Sequence, residues 1–211
     1  YVDFKGKVVI GEGEKDEAPM LYVSEQLGTG KGPEMDIAVD PLECTSNLAN
    51  GKPNAISVLA AGPKGSLLNA PGSYMDQLAV GPEAKGVIDI KAPIKENLKN
   101  IATALKKDIE DLTVIILDRP RHEEMIKQIR EAGARIRLIE HGTISAGIAP
   151  AIPDSGIDVM MGIGGAPEGV ITAVALKCVG GDMQGILKPH KEEFKQQALD
   201  RGLDLDKVYG I

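Results

Sequence analysis

Short apolar runs, each stopped by glycine, proline or asparagine, divide the chain into two halves of different texture. In the first half Val8-Val9-Ile10 predicts a buried strand ending at Gly11, and Ala18 to Leu27 predicts a helix opened by acidic residues and Pro19. Gly28 to Pro33 predicts a turn, and Ile37-Ala38-Val39, Ile56 to Ala60 and Val87 to Ile90 predict three further strands. The second half is more regular. Thr113 to Leu117 is an apolar strand, His122 to Ala132 an amphipathic helix closed by Gly133, and Arg135 to Ile139 a second strand, which together form a βαβ unit. Ile157 to Met161 adds a strand, Gly162 to Pro167 a glycine-rich turn, and Glu168 to about Lys177 a helix; a polar, helix-like tail follows Pro189. The expected class is α/β with α+β character in the first half, divided into residues 1–105 and a Rossmann-like half over 106–211. Ligands are expected at the carboxyl ends of parallel strands.

Composition narrows the function classes. Aromatic residues are 3% of the 211 and Trp is absent, so the core has to be built from Val, Ile, Leu, Ala and Met. A net charge of −7 repels a phosphate backbone, which argues against nucleic acid as a partner. Cys44 and Cys178 lie far apart without CxxC or Cys/His spacing, so a disulfide framework or zinc site is not expected and the reducing cytoplasm fits. No apolar run reaches the roughly 20 residues that span a bilayer, and Tyr1 to Lys5 has no signal-peptide character, so no membrane partner is expected. A chain that opens without Met and runs directly into a strand is expected to be a fragment or a trimmed product.

Four clusters carry the chemistry. Gly11-Glu12-Gly13-Glu14-Lys15-Asp16-Glu17 crowds carboxylates after a strand, an arrangement that suits a bound cation or, alternatively, an acidic helix start. Asp36 to Thr45 delivers Asp40 to a strand end, fixes the turn with Pro41, and places Glu43 and Thr45 where a helix can begin. Hard divalent ions take such oxygens, and backbone N–H groups near Thr45 can face a phosphate. Gly162 to Gly169 matches neither the Rossmann nor the P-loop pattern and leaves Glu168 at a helix start, as a ligand or a cap. In Leu117-Asp118-Arg119-Pro120-Arg121-His122 two arginines at a strand end can grip an anion, or remain solvated, and His122 is expected to cap the following helix.

Taken together, Val9 to Glu14, Asp16 to Leu21, Asp36 to Thr45, Asp118 to His122 and Gly162 to Val170 resemble the class II, GlpX-type fructose-1,6-bisphosphatase family. The resemblance runs through essentially the whole chain, and the family has a further leading and trailing segment. It implies the layered αβαβα sugar-phosphatase fold shared with lithium-sensitive inositol phosphatases, incomplete here at both ends, and hydrolysis of the 1-phosphate of fructose 1,6-bisphosphate. It implies Mg²⁺ or Mn²⁺ held by Glu12, Asp40, Glu43 and Glu168. Thr45 would orient or deprotonate the attacking water. Substrate contacts would come from Glu43, Cys44, Thr45, Tyr74, Arg119, Pro120, Arg121, His141, Gly142, Thr143 and Gly165, with the arginines on the retained phosphate. The expected partners are a sugar bisphosphate and further copies of the chain, as a homodimer or homotetramer.

The chain departs from the family at several of these positions. His141-Gly142-Thr143 stands where the family usually has Asp-Gly-Asp, Cys44 replaces a glycine, Gly72 an aspartate and Gln77 a lysine. Cys44 does not head a C-x₅-R loop, because residue 50 is Asn. These departures motivate the alternative of an impaired paralogue that binds sugar phosphate without turnover. An inositol-monophosphatase-like activity is a third reading.

Overall fold

The structure, a computed structural model, describes residues 2–12 and 20–211. Glu14, Asp16, Glu17 and the expected helix start at Ala18 and Pro19 therefore lie outside the described residues. Strands β1 (Lys5–Ile10), β2 (Gln26–Leu27), β3 (Glu34–Glu43) and β4 (Ile56–Pro63) form one sheet in the order β2-β1-β3-β4, with the short helix α1 (Thr45–Ala49) leaving the end of β3. β1 and β3 run parallel, while β2 and β4 are antiparallel to their neighbours.

The remaining elements are β5 (Tyr74–Val80), α2 (Ile94–Leu105), β6 (Thr113–Leu117), α3 (Glu123–Ala132), β7 (Arg135–Ile139), α4 (Thr143–Ile148), β8 (Val159–Gly165), α5 (Ala166–Val179), β9 (Asp182–Lys188), α6 (Glu192–Asp200) and β10 (Tyr209–Gly210). Their six strands form a second sheet in the order β10-β9-β5-β8-β6-β7. It is parallel only across β7, β6 and β8; β5 pairs antiparallel with both β8 and β9, so the sheet is mixed rather than parallel throughout.

Layering follows from where apolar faces find partners. Leu98 and Ile101 of α2 and Ile126 and Ile129 of α3 pack on Leu78, Val80, Val114, Ile116 and Val159, covering one face of the second sheet. Helix α5 is apolar around most of its circumference, as expected of a helix buried on all sides. With Ile144 of α4, its Val170 and Ile171 join Ile10, Ala38 and Ala60 of the first sheet to Met75 and Leu187 of the second. The order is sheet, helices, sheet, helices, a layered α/β fold.

Several sequence expectations are corrected. Residues 20–27 are not helical: Leu21 and Ser24 have left-handed φ values of 61° and 78°, and the chain reverses so that β2 pairs with β1. Leu21 is pinned on both sides, its N–H donating to the Glu25 carboxylate and its C=O accepting from the N–H of Glu12. Leu21 and Leu27 then cover Val8, Ile37 and Val39, which explains the apolar spacing that suggested a helix. Val87 to Ile90 is a loop rather than a strand. Ile88 enters the core, while the N–H of Ile90 and the C=O of Ile88 are satisfied by the Gln184 side chain instead of a neighbouring strand. The glycines from Gly162 to Gly165 are the end of β8, not a turn, and α5 begins at Ala166. Among the described residues, no helix is long and apolar enough to cross a membrane.

Candidate metal and phosphate site

The site begins with a defect in a strand. Between Asp40 and Glu43 the β3–β4 ladder slips: three steps along β3 oppose two along β4, from Val58 to Ile56. Pro41, with no N–H to give the ladder, sits inside this bulge. In a regular strand residues 40 and 43 would face opposite sides; the extra residue removes that constraint. Asp40 stabilises the bend by accepting the N–H of Leu42 at 3.0 Å. Cys44 then takes a left-handed conformation, φ 67° and ψ 46°, and the chain turns into α1 with Thr45 exposed.

Glu168 arrives from the other sheet, in the first turn of α5. Its carboxylate folds back over Gly165, where a Cβ would collide with it. Asp40, Glu43 and Glu168 each offer an oxygen, and these oxygens all lie within 4.8 Å of one another. At that spacing two like charges repel by roughly 3 kcal/mol at an effective dielectric near 20. The consequence shows at Glu43, only 8% exposed: burial first, then the charges of Glu168 and Asp40, push its pKa up to about 7, against a partial offset from the N–H of Ile144.

Of the four residues expected as ligands, these three gather. Glu12 is not in that group, but it leaves the same sheet edge: the β1–β3 ladder ends at Ile10 opposite Ala38, and Glu12 and Asp40 each lie two residues beyond. The Cys44 thiol is buried beside the same acids, and burial, Glu43 and Asp40 raise its pKa to about 11. That shift disfavours the thiolate, the form a cysteine nucleophile needs.

The segment His141-Gly142-Thr143 reaches the carboxylates from β7. Gly142 (φ 99°) lies against Cys44, whose Sγ would be 3.1 Å from a Cβ there, and the N–H of Ile144 points at Glu43 Oε1 at 3.4 Å. Thr143 is buried against Gly164, so its hydroxyl-bearing side chain packs into the β8 end.

Arg121 and Tyr74 adjoin the Gly165 end of β8. Tyr74 is opposite Gly165 in the β5–β8 ladder, and the Arg121 guanidinium carbon lies 4.7 Å from the centre of its ring. Arg121 donates Nε–H and an Nη2–H to Ile163 O, at 3.1 and 2.8 Å, which leaves three of its five N–H groups for an anion. Arg119 turns away toward backbone carbonyls, donating to Asp118 O and Glu140 O, after which Pro120 opens a short 3₁₀ turn. Glu140 in turn is paired with Lys52.

Two further residues here were not singled out for a role by sequence reasoning. His190 stacks on Tyr74 with ring centres 4.3 Å apart, and Gln77, 1% exposed, donates to Gly165 O at 3.0 Å, holding the junction that carries Glu168. Neither lies in a run of polar site residues, so no local signal marked them. His122 occupies the N-cap position of α3 as expected, but its side chain makes no capping bond; the ring is wholly buried between β6 and β8. Two roomier hollows, of about 680 and 690 Å³, lie away from the carboxylate group.

Comparison with known proteins supplies the context for this geometry. The family model described as bacterial fructose-1,6-bisphosphatase, glpX-encoded, matches residues 1–211. The chain is 52% identical over 186 residues to "Fructose-1,6-bisphosphatase 1 class 2" of Escherichia coli strain K12, covering 88% of this chain and 55% of that protein. The same figures hold for "Fructose-1,6-bisphosphatase class 2" of Shigella flexneri. The chain thus spans about half the length of the curated relatives it matches.

Proposed function

The chain belongs to the bacterial, glpX-encoded fructose-1,6-bisphosphatase family, and from that membership and the site's geometry we propose that it hydrolyses the 1-phosphate of fructose 1,6-bisphosphate with Mg²⁺ or Mn²⁺. The products are fructose 6-phosphate and inorganic phosphate. The observation that carries this reading is the gathering of Asp40, Glu43 and Glu168, from elements distant in sequence, within one 4.8 Å group.

The donor set suits a hard divalent ion. All its candidate ligand atoms are carboxylate oxygens lying within 4.8 Å of one another, and the raised pKa of Glu43 reflects its burial and the neighbouring charges of Glu168 and Asp40. A cation held there by Asp40, Glu43, Glu168 and the nearby Glu12 supplies charge neutralisation at the phosphoryl oxygens and a more acidic water. The remaining tasks fall to the chain itself. Thr45, exposed beside the carboxylates, orients the attacking water through its hydroxyl. Arg121 takes the retained phosphate with its three remaining N–H groups, Tyr74 supports it, and Gly165 adds a substrate contact. Arg119, held by the Asp118 and Glu140 carbonyls, adds its remaining N–H groups to the phosphate grip, and Pro120, His141, Gly142, Thr143 and the Glu43-Cys44-Thr45 turn enclose the sugar. The oxygen of water forms the new P–O bond as the sugar oxygen leaves and takes up a proton.

The half over 1–105 thus supplies the carboxylates of β3, and that over 106–211 supplies the arginines and Glu168. Two free thiols fit a cytoplasmic, reducing compartment, and the assembly we propose is a homodimer or homotetramer. Phosphate release from fructose 1,6-bisphosphate, assayed with Mg²⁺ and Mn²⁺ and with inositol phosphates as competitors, tests the reading. Asp40→Ala should lower turnover at least a hundredfold and abolish thermal stabilisation by the metal. No release from any sugar bisphosphate by the wild type, or full activity in the variant, refutes it.

A further inference from the structure

His122 is a fully buried titratable side chain to which the proposed mechanism assigns nothing. Its setting is a gap between strands. The parallel β6–β8 ladder pairs Val114 with Val159 and Ile115 with Met160 and goes no further. Past that point β6 stays with β7, the N–H of Asp118 donating to Ile139 O at 2.8 Å. β8, by contrast, remains with β5 as far as Gly165. The N–H and C=O of a strand residue point to the same side, so Ile163 of β8 would face the gap with both groups unmet.

Two consecutive side chains fill that gap. His122 Nε2 accepts the Ile163 N–H at 2.8 Å, and Arg121 donates twice to Ile163 O. On the other side of the imidazole, Nδ1 is 2.8 Å from Leu117 O, the last residue of β6. The partners dictate the tautomer: a peptide N–H can only donate and a carbonyl can only accept, so Nδ1 carries the proton and Nε2 is bare. Burial foremost, and then Arg121 beside it, hold the His122 pKa below the ordinary histidine value, partly countered by Asp76 on β5 and the Leu117 carbonyl. Gly162 makes the space. Its φ is 137°, and a Cβ there would be 3.3 Å from Nε2.

We infer that His122 is a positioning residue for phosphate binding: it anchors the Ile163 peptide whose carbonyl aims the Arg121 guanidinium. The inference rests on the reading of Arg121 as the grip on the retained phosphate. Loss of the imidazole frees Ile163 to shift, and the guanidinium shifts with it, while the carboxylates and Thr45 are untouched. The cost therefore falls on binding rather than on the chemical step.

The test compares His122→Phe, which keeps the ring and removes both bonds, with His122→Gln, whose amide still offers one donor and one acceptor. Expected are a KM for fructose 1,6-bisphosphate raised at least tenfold in His122→Phe with kcat changed less than threefold, partial rescue in His122→Gln, and no further KM increase when His122→Phe is added to Arg121→Ala. An unchanged KM, or a full additional increase on top of Arg121→Ala, overturns the inference. If the wild type turns over no sugar bisphosphate, it is the proposed function that fails, and the Kd for inorganic phosphate then replaces KM in the same comparison. Should His122→Phe not fold, nitrogen NMR of the wild type decides: a proton on Nδ1 and a slowly exchanging Ile163 amide are expected, and a proton on Nε2 or a rapidly exchanging amide contradicts the assignment.

Discussion

Glu43 shows how a single residue connects folding to metal binding. Its ordinary value is 4.5 and its value in the fold is about 7, because burial and two neighbouring acids disfavour its charge. Between those two pH values the folded protein keeps a proton that the unfolded chain has lost. Raising the pH through that window therefore lowers the stability of the metal-free protein, by at most about 3 kcal/mol from this group. A divalent ion must displace the same proton, so Mn²⁺ affinity should fall about tenfold for each pH unit below 7. Calorimetric titrations at pH 5, 6, 7 and 8 check this, and an affinity flat across that range contradicts it. In the sequence, position at a strand end marked Asp40, while Glu43 and Glu168 were singled out as ligands by the family resemblance, Glu168 reading on its own equally as a helix cap. Their mutual distance was not legible there, since it depends on a bulge at Pro41 and on two sheets facing each other across α4 and α5.

At the level of elements, the junction of β8 and α5 is the most constrained part of the site. Gly162 yields to His122, Gly164 to Thr143, and Gly165 to the Glu168 carboxylate. Gly165→Ala should push that carboxylate out of the group and weaken Mn²⁺ binding at least tenfold while the fold persists, as thermal unfolding and metal titration would show; an unaltered metal affinity would contradict this placement. Elements with one clean period, such as α3 and the strands β6 and β7, were readable in advance. β5 was not, because Asp76 and Gln77 interrupt its apolar pattern in the middle of the sheet, and Gln77 is buried there to hold Gly165 O. The region 20–27 misled for the opposite reason. Its apolar residues have helical spacing, yet Leu21 and Ser24 are left-handed and the chain folds back on β1.

At the scale of the whole molecule, each sheet delivers half of a site that neither could form alone. The first brings Asp40 and Glu43 to a strand end; the second brings Glu168 from one side of Gly165 and Arg121, over Tyr74, from the other. The acids proposed to hold the metal and the arginine proposed to hold the phosphate thus come from two sheets packed on the helices α4 and α5. Crystals soaked with Mn²⁺ and fructose 6-phosphate test this arrangement most directly, by anomalous diffraction at the manganese edge. The account predicts manganese among the carboxylates of Asp40, Glu43 and Glu168, with the sugar phosphate on Arg121; manganese bound elsewhere, or a phosphate remote from Arg121, would contradict it.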